Sequence, residues 1–164
     1  MLQVRLVLIL IVLHLSNLSI AQSEPKLRWM SFEQLEDSLA KKPKRVFIDF
    51  YADWCAPCLK MDKEVFTDKE IIQELTKNYY AVKMNVESKD TIYFSGQRFL
   101  NERIKKRNPI HQIPLLMARQ KDKPFSLPAL IFLDKKFKAT ARYFQYLNVA
   151  QLTEILKTQD NRID

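Results

Sequence analysis

The stretch RVFIDFYADWCAPC, from Arg45 to Cys58, joins an apolar run to both cysteines of this chain of 164 residues. Residues 45–52 predict a central β-strand, because a strand covered on both faces is almost continuously apolar. Asp49 is the one acid within that run. The residues from Cys55 onward continue in a helical pattern, so the two cysteines stand where a strand ends and a helix begins.

Two closely spaced thiols have three possible uses. A zinc site needs about four ligands, and beyond residue 21 the chain offers only His111 as a further soft ligand, which disfavours metal binding. A disulfide that closes so short a loop restrains the unfolded chain little, which disfavours a purely structural bridge. Redox chemistry is the favoured use.

The positions of the two thiols predict different redox roles. Unpaired backbone N–H groups and the positive end of the helix dipole stabilise a thiolate at Cys55, which is therefore expected to attack a partner disulfide. Cys58 lies about one turn further along the same side of the helix, so it can attack the resulting mixed disulfide and release the partner. Pro57 fits the first helical turn, where its missing N–H is harmless. Trp54 offers an apolar flank that a partner polypeptide could cover.

Asp49 is expected to point toward the layer beneath the cysteines. A carboxyl group in apolar surroundings has a raised pKa, which suits it to accept the proton of Cys58 as that thiol attacks. An edge position facing solvent is the weaker alternative, given its apolar neighbours. Lys83, in the next strand candidate, could pair with Asp49 or stand exposed.

The dipeptide Leu127-Pro128 precedes the apolar segment ALIFL. A proline is compatible with the first residue of a strand, so it could simply mark where that strand begins. A cis peptide bond beside the cysteines is the other interpretation, and the residues alone do not decide between the two.

Capping pairs and hydrophobic periodicity predict the other elements. Before residue 95, a short strand is predicted at 27–30 and a second central strand at 79–86. Ser31 and Gln34 cap a helix with Phe32, Leu35 and Leu39 on one face. Thr67 and Glu70 open another helix, in which Ile71, Ile72 and Leu75 face inward. From residue 95 onward, a hairpin is predicted to turn at Ser95-Gly96, and a helix to start at Asn108-Pro109 or near Pro114. Segments 128–134 and 137–145 are predicted to form a second hairpin. Asn148 caps a final helix that bears Leu152, Ile155 and Leu156. This order predicts an α/β fold with a mixed central sheet flanked by helices.

The N-terminal segment and the composition bear on where the chain works. Residues 1–21 read as a secretory signal peptide, with Arg5 before an apolar run and cleavage after Ala21; an uncleaved membrane anchor is the alternative. Residues 26–160 are expected to form one domain, since 47% apolar residues suffice for a core. The net charge of +8 is scattered along the chain, which disfavours nucleic-acid binding and leaves acidic partners or anionic lipid possible.

Three segments in order give the chain a family resemblance. FIDFYADWCAPC, VKMNV and SLPALIFLD resemble the buried-aspartate strand with its WCxxC motif, the lysine strand and the cis-proline loop of the thioredoxin superfamily. The chain is most similar to exported thioredoxin-like domains, such as the C-terminal domain of membrane thiol:disulfide interchange proteins. The resemblance implies a thioredoxin-like fold, with Cys55 attacking, Cys58 resolving, Asp49 accepting the proton and Pro128 lining the substrate groove. A hairpin and helix insertion at about residues 87–126 departs from the family pattern and could cap or reshape that groove.

The expected function is therefore that of an exported thiol:disulfide oxidoreductase. It would cycle between a Cys55/Cys58 dithiol and disulfide, reduce other exported proteins as a monomer, and receive electrons from a membrane donor. A proline without a histidine between the cysteines leans toward a reductant. The alternatives are an oxidase or isomerase with the same residues, and a binding module whose cysteines are inert. No cofactor is expected, since the chain has a single glycine and no glycine-rich phosphate loop.

Overall fold

The computed structural model describes residues 26–161, so the predicted signal peptide at 1–21 lies outside the described residues. The strands are β1 (Arg45–Tyr51), β2 (Tyr79–Asn85), β3 (Ile92–Phe94), β4 (Gln97–Phe99), β5 (Ala129–Leu133) and β6 (Ala139–Tyr143). The helices are α1 (Phe32–Lys41), α2 (Ala56–Glu64), α3 (Lys69–Asn78), α4 (Gln112–Met117) and α5 (Val149–Asn161). Within residues 26–161, none of these helices has the length and apolar content to cross a bilayer.

The main sheet has four strands in the order β2-β1-β5-β6. β1 runs parallel to β2 and antiparallel to β5, so the predicted mixed sheet is confirmed. β2 was expected to be central, and this was wrong: it is the outer strand, and among residues 26–161 the side of β2 away from β1 carries a single bridge, from Met30 to Val82. The strand predicted at 27–30 is reduced to that bridge, because the cap of α1 follows at Ser31 and turns the chain away.

β1 lies at the centre of the core and is buried on both faces, as its composition predicts. Side chains alternate between faces along a strand. Val46, Ile48 and Phe50 therefore face α1 and pack in one cluster of buried side chains. Phe47 faces the opposite side and packs in a second cluster with Met61 of α2. The position of Asp49 in this alternation places it on the α2 side.

Two of the three predicted helix caps are confirmed. Ser31 and Gln34 form a capping box at the start of α1, and Asn148 accepts a hydrogen bond from the N–H of Gln151 at the start of α5. The cap predicted at Thr67 was wrong. Asp68 caps α3 instead, because its carboxylate accepts from the N–H groups of Glu70 and Ile71, whereas the Thr67 hydroxyl donates back to Lys63 in α2. A carboxylate is the stronger acceptor at the positive end of a helix.

The insertion contains the predicted hairpin. Ser95 and Gly96 connect β3 to β4 with φ values of 53° and 69°, the positive-φ pair that a two-residue hairpin turn requires. The hairpin packs on α1 and on the turn between β5 and β6. The Phe94 ring lies 5.4 Å from that of Phe32 and 5.3 Å from that of Phe137, and the Ser95 N–H donates to Glu36.

Of the two predicted starts for the helix that follows, the one near Pro114 is confirmed and the one at Asn108-Pro109 was wrong. α4 starts at Gln112, and His111 is its N-cap, with Nδ1 accepting from the N–H of Ile113. Pro114 falls within the first turn, where an N–H has no intrahelical partner to lose. The sequence pattern at Asn108 was therefore misleading, because His111, which is completely buried, provides the cap instead.

Candidate redox site

Cys55 and Cys58 form a disulfide at the start of α2, with their Cα atoms 5.3 Å apart. Cys55 is the N-cap, so β1 and a short turn deliver it to the point where the helix begins. The N–H of Cys58 donates to Cys55 Sγ at 3.3 Å. Ala56 and Pro57 occupy the first turn between them. Both cysteines are buried, with 3% and 2% of their surface exposed.

Asp49 lies on β1 beneath α2 and is 2% exposed. Its register partner on β2 is Lys83, whose Nζ lies 3.4 Å from Asp49 Oδ2. Burial raises the pKa of Asp49 to about 7, because desolvation outweighs the opposing attraction of the lysine. The carboxyl group therefore exchanges its proton near neutral pH.

Lys83 also forms an ion pair with Asp62 of α2. Its ammonium group lies 4.6 Å from the centre of the Tyr51 ring and 5.3 Å from that of Trp29, within the range of cation–π attraction. One lysine thus links the buried carboxyl group on β1 to a second carboxylate on the helix that carries the cysteines.

Trp54 and Pro128 lie near the disulfide, at the same edge of the sheet. Trp54 is 68% exposed, and its indole N–H donates to Glu87 at 2.9 Å. The Leu127-Pro128 peptide bond is cis. The next residue, Ala129, pairs with Phe50 near the end of β1, so Pro128 lies at the same edge as Cys55.

A scan against protein-family models matches residues 32–160 to the thioredoxin-like domain. The chain belongs to this family. The thioredoxin-like fold implied by the sequence resemblance is thereby confirmed.

Curated relatives of this thioredoxin-like chain include two thiol:disulfide interchange proteins called DsbD. The protein of Campylobacter jejuni is 38% identical over 56 residues, which are 34% of this chain and 10% of that protein. The protein of Vibrio vulnificus is 27% identical over 139 residues, covering 83% of this chain and 20% of that protein. The matches thus span a fifth or less of the length of these relatives.

Among solved structures, the oxidised C-terminal domain of DsbD from Neisseria meningitidis has a similar fold. The TM-score is 0.51 at 17% sequence identity, and the match covers 77% of this chain and 90% of that chain. At this identity the likeness concerns the fold.

Two residues of the thioredoxin-like site escaped the sequence reasoning. Asp62 stands four positions after Cys58 on α2, and an acid one helical turn from a cysteine was the signal that could have identified it. Glu87 carried no such signal, because its contact with Trp54 joins residues 33 positions apart.

His111, the further soft ligand considered for zinc, takes a structural position. Its Nδ1 caps α4 and its Nε2 lies 3.2 Å from the carbonyl oxygen of Asp90. Burial lowers the pKa of His111, so the neutral ring is favoured. In the part of the chain that the structure describes, no three His, Cys, Asp or Glu side chains are grouped to hold a metal ion.

Proposed function

We propose that this thioredoxin-like protein is a thiol:disulfide oxidoreductase that reduces disulfides of exported proteins. The observation that carries the proposal is the Cys55/Cys58 disulfide at the N-terminus of α2, with the buried Asp49 on the strand beneath it. Membership in the thioredoxin-like family and similarity to the interchange proteins support the same chemistry.

The first step is attack by Cys55 in the reduced protein. Its thiolate attacks one sulfur of the partner disulfide, a new S–S bond joins the two proteins, and the other partner sulfur leaves as a thiolate that takes a proton. The Cys58 N–H that now points at Cys55 Sγ is a donor suited to stabilise the thiolate, together with the helix dipole.

The second step is resolution by Cys58. Its thiol loses a proton and attacks Cys55 Sγ, which breaks the mixed disulfide and releases the partner as a dithiol. Asp49 is proposed to receive that proton, since its pKa of about 7 lets a neutral or an ionised carboxyl group exist near neutral pH. Lys83 is proposed as a positioning residue that holds the Asp49 carboxylate through the 3.4 Å contact. The balance is one partner disulfide reduced for one protein disulfide formed.

We place this reaction outside the cytosol, in the periplasm or an equivalent compartment, following the signal peptide predicted at residues 1–21. A membrane electron donor is proposed to restore the dithiol, because an oxidising compartment holds no thioredoxin pool to do so. The interchange proteins to which the chain is similar suggest this arrangement. Trp54 and Pro128 are proposed to flank the bound partner.

Trapping in the native compartment tests the mechanism. Cys58→Ser should accumulate mixed disulfides with partner proteins, because the attacking thiol is kept and the resolving thiol is lost. Cys55→Ser is the matched control: it lacks the disulfide equally but should trap nothing and should not reduce insulin. Absence of trapped proteins in the Cys58→Ser strain would contradict the proposed cycle.

The direction of electron flow is tested by equilibration with glutathione. A reductant should have a potential well below about −200 mV, in the direction of the roughly −270 mV typical of thioredoxin. A potential near about −120 mV, the range of a strong disulfide donor, would reverse the proposed direction.

A further inference from the structure

Two loops of the insertion carry an excess of basic side chains. Loop 102–108 bears Arg103, Lys105, Lys106 and Arg107 with one acid, Glu102, and loop 119–124 bears Arg119, Lys121 and Lys123 with one acid, Asp122. All seven basic residues are exposed. Within residues 26–161 none of them takes part in an ion pair. We call these seven side chains the basic rim.

Loop 119–124 is anchored to the core at both ends. Ala118, which precedes it, is buried in the cluster of side chains that contains Cys55 and Cys58. Phe125, which follows it, packs against the same cluster. Residues 125–127 connect the loop to Pro128, which lies at the same edge of the sheet as Cys55, so Lys123 stands five positions before a residue of that edge.

Loop 102–108 is held at the same edge by a buried side chain. Asn101 is 6% exposed, and its amide group donates to the carbonyl oxygens of Ser88 and Pro109, which closes the base of the loop. Ser88 follows the end of β2, where Asn85 pairs with Tyr51 at the end of β1. The loop therefore starts and ends near the end of the sheet that precedes the cysteines.

We propose that the basic rim selects partner disulfides whose cysteines are flanked by acidic residues. The inference rests on the proposed function and names its substrate class. Basic groups that have no ion-pair partner, on loops near one edge, produce a positive field that attracts acidic segments and speeds their encounter. Glu87, an acid at this edge, is engaged by the Trp54 indole. The base of loop 102–108 and the residues that follow loop 119–124 lie near the end of the sheet that leads to the buried cysteines, and this placement favours a polypeptide partner over an anionic lipid surface.

The test uses the purified, reduced full chain and two synthetic peptides. Each peptide contains one internal disulfide, and they differ only in having glutamate or lysine at the flanking positions. Single-turnover rate constants are measured at low and high salt, each divided by the rate with dithiothreitol to remove the intrinsic reactivity of the peptide. Serine versions of the peptides, which cannot react, give the binding affinity independently of the chemistry.

Charge reversals assign the effect to the rim. Lys105→Glu with Lys106→Glu alters the first loop, and Lys121→Glu with Lys123→Glu alters the second. Lys135→Glu with Lys136→Glu is the matched control, with the same change of charge. Both control lysines are exposed and follow Leu133, which pairs with Val46 at the opposite end of β1.

The acidic peptide should react about three to ten times faster than the basic one at low salt, and the ratio should approach one in high salt. Each rim variant should lower the ratio and the affinity for the acidic serine peptide, whereas the control should not. Equal ratios for both peptides, equal effects of all three variants, or rim variants that change only adhesion to anionic vesicles would overturn the inference. Failure of the wild type to reduce either peptide would instead overturn the proposed function, and the serine peptides would still decide the selectivity.

Discussion

The cysteine end of the sheet and the insertion at residues 87–126 are held together by different means. At the cysteine end, Asp49, Cys55 and Cys58 lie within one strand and the helix that follows it. In the insertion, the buried polar residues Asn101 and His111 bond to backbone groups of Ser88 and Asp90 elsewhere in the segment. The comparison teaches that a strand–helix junction suffices to bring a carboxyl group and two cysteines together, whereas an irregular segment needs buried polar side chains to satisfy its backbone.

The two regions also differ in their response to pH. Burial raises the pKa of Asp49 and lowers that of His111, because in each case it disfavours the charged form. Asp49 therefore keeps its proton up to a higher pH in the folded chain than in the unfolded chain. His111 stays neutral down to a lower pH in the folded chain than in the unfolded chain. Deprotonation of Asp49 and protonation of His111 should both oppose folding, at opposite ends of the pH range.

Asp49→Asn carries the largest expected effect and tests the cysteine end. Because the pKa of Asp49 is raised to about 7, the oxidised wild type should lose stability as the pH rises from about 4 to above 7, by on the order of 4 kcal/mol. The variant should lack this loss and should have the higher free energy of unfolding at pH 8, measured by urea denaturation. Asp37→Asn, at an exposed position on α1, should keep the wild-type pH profile. Matching profiles for Asp49→Asn and the wild type would contradict the account.

Phe94→Ala tests whether the hairpin is held by its aromatic contacts. Removal of the ring that packs against Phe32 and Phe137 should lower the free energy of unfolding by about 3 kcal/mol. Tyr93→Ala is the control in the same strand: Tyr93 is 61% exposed, so the loss should stay below about 0.5 kcal/mol. Reduction of a small disulfide by Phe94→Ala should remain at the wild-type rate, and a parallel loss of activity would show that the two regions are coupled.

His111→Asn tests the opposite pH response of the insertion. The lowered pKa means that the unfolded chain binds a proton at a higher pH than the folded chain does, so His111 makes the wild type lose stability as the pH falls below about 6.5. Asparagine can still cap α4 but does not titrate. The variant should therefore show a flatter profile between pH 7 and 5 in the same urea experiment, and an unchanged slope would assign the acid-side loss to other groups.

Gly96→Ala carries the smallest expected effect. Gly96 has a φ of 69°, and a Cβ at this position would meet no atom within 4 Å. The cost should therefore come from the left-handed backbone alone, about 1 kcal/mol in the free energy of unfolding. Gly96→Asn should cost less, because asparagine tolerates that conformation better. A much larger loss for alanine would indicate a steric role that the structure does not contain.

Much of the cysteine end could be predicted from local patterns. The continuous apolar run predicted a strand buried on both faces, and β1 has that burial. The pairs at Ser31 and Asn148 predicted their helix caps because the donor and acceptor groups are only three residues apart. Where two adjacent residues competed, as Thr67 and Asp68 did, the spacing rule chose the wrong one.

Those local patterns could not predict the contacts between residues far apart in the sequence. The outer position of β2 depends on which strands pair with β1, and neither β1 nor β2 carries that information in its own composition. The Lys83–Asp62 ion pair and the Trp54–Glu87 hydrogen bond join residues 21 and 33 positions apart. The start of α4 at Gln112 depends on a buried His111, and burial is a property of the packed structure.

The sequence by itself determined the strand–turn–helix unit that carries Asp49, Cys55 and Cys58, because periodicity, capping and helix dipoles act over a few residues. Only the tertiary structure decided that Lys83 stands beside Asp49, that Pro128 lies at the edge of Cys55, and that Asn101 holds the base of loop 102–108 near the same end of the sheet. Those placements depend on strand register and on buried hydrogen bonds between distant segments, which form only when the chain is packed.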